Sequence, residues 1–243
     1  MKKLIAILAA ASLSLSAWAG PFNIPSPVPD LHPFDRVSVD VLYHFGWGFH
    51  GFATNSDPEF ANRTSFGRNR EIFFNLFQME YYPSFHHTIS LGVDLNWDTY
   101  RLNDASFWLP DKEVGSVQAV AAKDYGYQMI KKSTLRTFGF DIPLDYTRTI
   151  GLLDITVGVA AELNFSGRTK FKGINEEGLL VKYTHDGERY RATDIRTNTL
   201  TMNVHAAVTY DGFGIYMKYS PFPQFQEGYG PQFTTWTFGI LLR

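Results

Sequence analysis

From Arg36 to Phe49 the chain reads RVSVDVLYHFGWGF, and its side chains alternate in kind. Val37, Val39, Val41, Tyr43, Phe45, Trp47 and Phe49 fall on one parity. Ser38, Asp40, His44, Gly46 and Gly48 fall on the other, and Leu42 alone breaks the order. A period of two belongs to a β-strand with one apolar and one polar face, so this stretch predicts one long strand. The alternation returns from Arg70 to Tyr82, Ile89 to Asp98, Thr134 to Asp145, Leu153 to Phe165, Leu200 to Tyr210, Phe213 to Ser220 and Phe233 to Leu242. In the Arg70 to Tyr82 segment the apolar face is blurred, because Ile72, Phe73, Phe74, Leu76 and Phe77 occupy both parities. Gln78 and Glu80 mark its even positions as the polar ones.

The connections alternate as well. Those at Pro83 to His86, Tyr146 to Ile150 and Asp211-Gly212 are short, and the last carries the strongest hairpin signal in the chain. The stretches after Phe49, from Asn103 to Ser133, from Gly167 to Thr193 and from Pro221 to Pro231 are long. Short turns on one rim and long loops on the other predict an all-β fold. It is an eight-stranded antiparallel up-and-down transmembrane β-barrel with short periplasmic turns and long extracellular loops.

Periodicity alone also fits a soluble lipocalin-like barrel. The polar parity separates the two, being dominated by Gly, Ser, Thr, Asn and Asp instead of the Lys, Glu and Arg of a water-facing sheet. With the faces reversed in a membrane, Asp40, Asp94, Asp98, Asp154 and Glu162 would meet lipid. There a basic charge at mid-depth costs about 2–4 kcal/mol and an acidic one somewhat less. These groups therefore point inward, into a lumen just wide enough to be filled by side chains. The predicted lumen network comprises Arg36, Asp40, His44, Arg70, Glu80, Asp94, Asp98, Arg136, Glu162, His205 and Lys218. Tyr43, Trp47, Tyr81, Trp97, Tyr210, Tyr219 and Trp236 are predicted as interfacial aromatics on the lipid side.

Residues 1–19 read as a secretory signal: Lys2 and Lys3, an apolar core from Leu4 to Leu15, then Ala17-Trp18-Ala19 before Gly20. Losing its two lysines takes the formal charge from -2 to -4. Residues 20–35 form a Pro-rich segment whose prolines block ladder hydrogen bonding, and 36–243 is the barrel. Beyond the signal no run of 18 apolar residues occurs, and the chain has no cysteine for a disulfide or an acyl anchor. The expected location is the outer membrane of a Gram-negative bacterium. No basic excess points to nucleic acid.

The segments YMKYSPFPQFQEGYGPQFTTWTFGILLR, SLGVDLNWD and FGFDIPLDY resemble the small outer-membrane β-barrel proteins common in the Bacteroides group. The resemblance runs over most of the chain after Arg36, and its motifs are architectural. It implies an outer-membrane barrel and marks no catalytic residue. The partners expected of such a chain are outer-membrane lipids and lipopolysaccharide, the assembly machinery, and an extracellular ligand at the loops.

Two motifs look chemical and dissolve on inspection. Gly46, Gly48 and Gly51 spell G-x-G-x-x-G, but no helix N-terminus follows to hold a phosphate. Asp94, Asn96 and Asp98 lack the glycine and distal glutamate of a calcium loop. No cofactor and no metal is predicted. His50 is read as part of the first loop, His86 and His87 as the periplasmic turn, and His185 as the third loop, so the histidines do not cluster. The expectation is a non-enzymatic barrel, structural, adhesin-like or ligand-binding, acting through its loops. A narrow solute channel is the alternative, and a lipid A-modifying enzyme the second. The second loop offers Phe107, Trp108, Leu109, Tyr125 and Tyr127; the third offers Arg168, Lys170, Lys172, Lys182, Arg189 and Arg191.

Overall fold

The computed structural model describes residues 36–53, 60, 63–64, 67–111, 113–184 and 195–243. The predicted signal, the Pro-rich segment, His185, Arg189 and Arg191 lie outside these residues. The strands are β1 (Val37–Asp40), β2 (Phe45–Ala53), β3 (Arg70–Ser84), β4 (His87–Arg101), β5 (Ser106–Asp111), β6 (Ser116–Ala121), β7 (Tyr127–Ile150), β8 (Leu153–Asn175), β9 (Leu180–Thr184), β10 (Leu200–Tyr210), β11 (Phe213–Ser220) and β12 (Thr234–Leu242). Eight of them close an antiparallel ring in the order β3, β2, β12, β11, β10, β8, β7, β4, with β4 returning to β3. β1 pairs with β3 below β2, and β9 pairs with the outer end of β8. No helix among the described residues is long and apolar enough to cross a membrane. The crossing is made by strands, whose closure pairs their backbone groups with one another and not with lipid.

Three two-residue turns line one rim, closed by the pairs Ser84 with His87, Ile150 with Leu153, and Tyr210 with Phe213. Asp211 and Gly212 have φ of 49° and 83°, the two left-handed positions a type I′ turn needs. The outer surface carries the apolar parity. Leu144, Val157, Val204 and Ile215 are 49%, 50%, 48% and 62% exposed, within a band that runs around the ring. An apolar surface this continuous is one made for lipid.

The long strand expected from Arg36 to Phe49 is instead two strands. Leu42 sits at φ 55° and breaks them. A branched residue strains that conformation, and Leu42 is also the residue that violates the alternation. A second correction concerns β3, where a bulge between Asn75 and Phe77 switches the parity. Glu71 and Asn75 face the lumen before the bulge, Gln78 and Glu80 after it, so even positions are not polar throughout. The second and third loops are more ordered than their sequences announce. β7 and β8 run to 24 and 23 residues, and β5 with β6 forms a hairpin inside the stretch read as irregular.

The glycines of the G-x-G-x-x-G motif have a packing role. Gly48 pairs across strands with Gly239, and the Tyr216 ring occupies the room both leave. A Cβ would stand 2.3 Å from Tyr216 Oη at Gly48 and 2.4 Å from its Cε1 at Gly239. Gly48→Val should therefore overpack the lumen and cost about 1–3 kcal/mol. A lowered midpoint of heat unfolding in detergent, read by gel mobility, checks this.

Candidate functional site

The membrane-level lumen is an acidic column crossed by one buried ammonium. Lys218 on β11 donates to Glu71 of β3 and, over 3.1 Å, to Asp141 Oδ2 of β7. Tyr216 Oη donates to the other Glu71 oxygen at 2.9 Å. Glu71 is fully buried and Lys218 nearly so. The ammonium thus joins three strands that are not neighbours in the ring. Glu162 faces the same column, paired across strands with Asp141.

Three His–Asp pairs extend it. His44 Nε2 lies 3.1 Å from Asp94 Oδ2, and Asn75 Nδ2 donates to the other Asp94 oxygen at 2.8 Å. His205 Nε2 lies 2.7 Å from Asp145 Oδ1. Gly158 makes room for that pair, since a Cβ there would fall 2.0 Å from Asp145 Oδ1. In the third pair His50 Nε2 is 2.9 Å from Asp98 Oδ1, off the hydrogen-bond direction, while its Nδ1 meets Thr237 Oγ1 at 2.7 Å.

At the turn rim the column opens into a cavity of about 60 Å³ bordered by His44, Asp145, His205, Lys218 and Arg243. That is space for a few waters. Arg243 reaches Asp154 at 3.6 Å and donates to Thr156 Oγ1 at 3.0 Å. Nearby, Glu80 accepts from Gln78 at 2.6 Å and from Tyr82, and Asp40 accepts from Ser38 at 3.4 Å.

The opposite end of the lumen is apolar. Phe60, Tyr100, Leu102, Trp108, Val117, Leu135, Ile195, Phe225 and Phe233 form one buried cluster. The β5–β6 hairpin supplies Trp108 and Val117, and the loop after β11 supplies Phe225 and Phe233. Backbone bonds tie these pieces: Val117 N donates to Tyr229 O at 2.9 Å, and Arg196 N to Gly115 O at 2.9 Å. Trp108 Nε1 donates to Tyr100 O at 3.2 Å, fastening the hairpin to β4.

Of the residues expected in the lumen, the structure brings together His44, Asp94, Asp98, Glu162, His205 and Lys218, with Asp40 and Glu80 at the mouth. Arg70 and Arg136 are on the outer surface. Arg136 shares the parity of Phe138 and Phe140, which already excludes it from the lumen, and the β3 bulge sets Arg70 outward. Arg36 precedes β1 and forms no ion pair among the described residues. Trp47, Tyr81, Trp97, Tyr210, Tyr219 and Trp236 lie on the outer face, with Tyr219 stacked on Trp236 at 4.1 Å. Tyr43 does not. Its ring lies under the Arg243 guanidinium, 5.7 Å away, at the mouth. Glu71, Asp141, Asp145 and His50 are lumen residues the sequence reading left out or placed elsewhere. His50 belongs to β2 and not to the first loop. A tally of parity would have found Asp141 and Asp145; Glu71 was hidden by the bulge.

No family model matches the chain, and no curated protein does. Among solved structures, the attachment invasion locus protein Ail of Yersinia pestis is similar at 10% identity over 85% of this chain and 96% of Ail, with a TM-score of 0.32. Its complex with the heparin analogue sucrose octasulfate gives 0.31. The toluene transporter TodX of P. putida is similar at 13% identity over 82% of this chain and 54% of TodX, with a TM-score of 0.27. Likeness at this level says nothing of function. The fold rests on the closed ring and its apolar exterior.

Removing the ammonium alone leaves two buried carboxylates without a cation, a change that typically costs about 3–5 kcal/mol. Lys218→Met should sharply lower the unfolding midpoint in detergent. Adding Glu71→Gln and Asp141→Asn to it should recover most of the loss; no recovery would mean the three groups do not act together.

Proposed function

We infer that this chain is a non-enzymatic outer-membrane barrel with a closed lumen, serving to hold a ligand- or partner-binding extracellular end at the cell surface. The observation that carries this reading is the apolar cluster across the outer end of the lumen. An ion or sugar crossing the barrel must pass Trp108, Phe225 and Phe233, which are at most 2% exposed and apolar. Below them the Lys218 strut and the His–Asp pairs occupy the column. The cap is also cross-tied by backbone hydrogen bonds, which suits a surface that presents a fixed shape.

Thr237, His50 and Asp98 line up as hydroxyl, imidazole and carboxylate, the order of a nucleophile, base and orienting acid. All three are at least 96% buried, and the cavity at the turn rim does not touch them. A substrate cannot reach the hydroxyl, and His50 Nε2 and Asp98 Oδ1 are not hydrogen-bonded to one another, so the three groups do not work as a triad.

In planar bilayers the full chain should give no stepwise conductance, and sizeable steps would establish the channel alternative in its place. Lipid A from cells with and without the gene should have the same mass; a lost or gained acyl chain would overturn the non-enzymatic reading.

A further inference from the structure

The outer wall of one side of the barrel changes character abruptly at the edge of the apolar band. Trp47, Ile72, Trp97 and Phe138 face one another across β2, β3, β4 and β7 in a single cross-strand row. Trp97 packs on Phe138 with ring centroids 5.0 Å apart. Two residues further out on the same parity, about 7 Å along the strands, the row reads Arg70, Thr99, Arg136 and Arg168. The row beyond holds Arg101, Thr134 and Lys170, and the next pairs Lys132 with Lys172. Apolar side chains give way to cations within one row, on the face that meets lipid lower down.

No acid balances them. Among the described residues, none of these arginines and lysines has a carboxylate within ion-pair distance; the nearby Arg68 is the one matched, to Asp104. Lys132 is held below the ordinary lysine range by desolvation first and then by Arg101, Arg136, Lys170 and Lys172, so the cations crowd one another. Arg101 is lowered in the same way, by burial and then by Arg70, Arg136 and Arg68. Separately, Arg101 Nε and Thr134 Oγ1, neighbours across β4 and β7, are buried and have no hydrogen-bond partner among the described residues. Where β4 and β7 part is a cleft of about 80 Å³ bordered by Arg68, Arg101, Lys131, Lys132 and Ser133, and by Asp104, whose carboxylate is taken by Arg68.

We propose that this wall binds the phosphate groups of outer-leaflet lipid headgroups, with one phosphate seated in the cleft between Arg101 and Lys132. Arginine's planar fork suits phosphate oxygens, and Arg101, whose Nε has no partner among the described residues, borders the cleft in which the phosphate would sit. The position selects a lipid over a free anion. The cations begin one row above the aromatics, at headgroup depth, and face sideways into the leaflet and not upward into the medium. The proposal rests on the lipid-facing exterior of the barrel and is independent of whether the lumen conducts.

The test uses the full chain refolded in detergent, titrated with micelles containing bis-phosphorylated lipid A, with the same lipid stripped of its phosphates, and with inorganic phosphate. Only the first should bind and raise the unfolding midpoint, and the effect should weaken as salt is raised. Replacing Arg101, Arg136 and Lys132 together by Gln should weaken binding about a hundredfold, at about fivefold per cation. Arg148→Gln, an exposed change at the turn rim, should leave it unaltered. Heat-modified gel mobility identifies folded variants; if the triple change does not fold, Arg136→Gln alone should still weaken binding about fivefold. Equal binding of the phosphate-free lipid, equal binding of inorganic phosphate, or unchanged affinity in the variants would each overturn the proposal. None of these results bears on conductance, so the closed-lumen reading stands or falls separately.

Discussion

Much of this structure depends on the Lys218 ammonium held between Glu71 and Asp141. Inside its membrane section the barrel has only a small apolar cluster, Ala207, Tyr216 and Leu241 with Phe73, so the interior there is held mainly by polar contacts. Lys218 supplies the cation for a column otherwise rich in carboxylates, and it reaches β3 and β7 from β11 across the bore. The contact fixes the cross-section. Space for it comes from the glycine pair Gly48 and Gly239, which admits the Tyr216 ring, and Tyr216 completes the second oxygen of Glu71. Backbone size, aromatic packing and ion pairing are one device here.

The molecule therefore has two interiors with opposite physics. At membrane depth the inside is polar and the outside apolar. Above it the arrangement inverts: Trp108, Phe225 and Phe233 form an ordinary hydrophobic core, and the outside carries arginines and lysines. The inversion happens along the same strands β4, β7 and β8, and β8 changes parity at its bulge: Glu162 and Asn164 face inward below it, Thr169 and Phe171 above it. Each strand exchanges which kind of residue its two faces carry, as the surroundings change from lipid tails to polar headgroups and the water above them.

That inversion also explains what could be read from the sequence. The eight strands, their antiparallel order and the two kinds of rim follow from alternation and from the placement of turns, and these were legible. Where the surroundings change, the signal fails. From Tyr127 to Lys132 two bulges scramble the parity of β7, so a strand of 24 residues was legible over only its inner half. Lys170, Phe171, Lys172 and Gly173 do alternate, but the charges disguised strand as loop. In the lumen, Asp94, Asp98, His205 and Lys218 were readable from parity, whereas Glu71 needed the bulge at Leu76 to be known. Leu42 offered the opposite lesson: a single exception to a clean pattern coincided with the break in the backbone.

The unequal lengths of the strands give the barrel a slanted outer rim. β7 has 24 residues and β11 has 8, which at about 3.3 Å per residue is about 80 Å against 26 Å of strand. The tall side carries the cations on its outer wall, and the low side feeds its loop inward over the bore. Viewed down the barrel axis, the protein thus has a front and a back. In a crowded membrane such a molecule is not free to meet neighbours in any azimuth: lateral contacts on the tall side and on the low side are between different chemistries, so its packing in the membrane plane is directional.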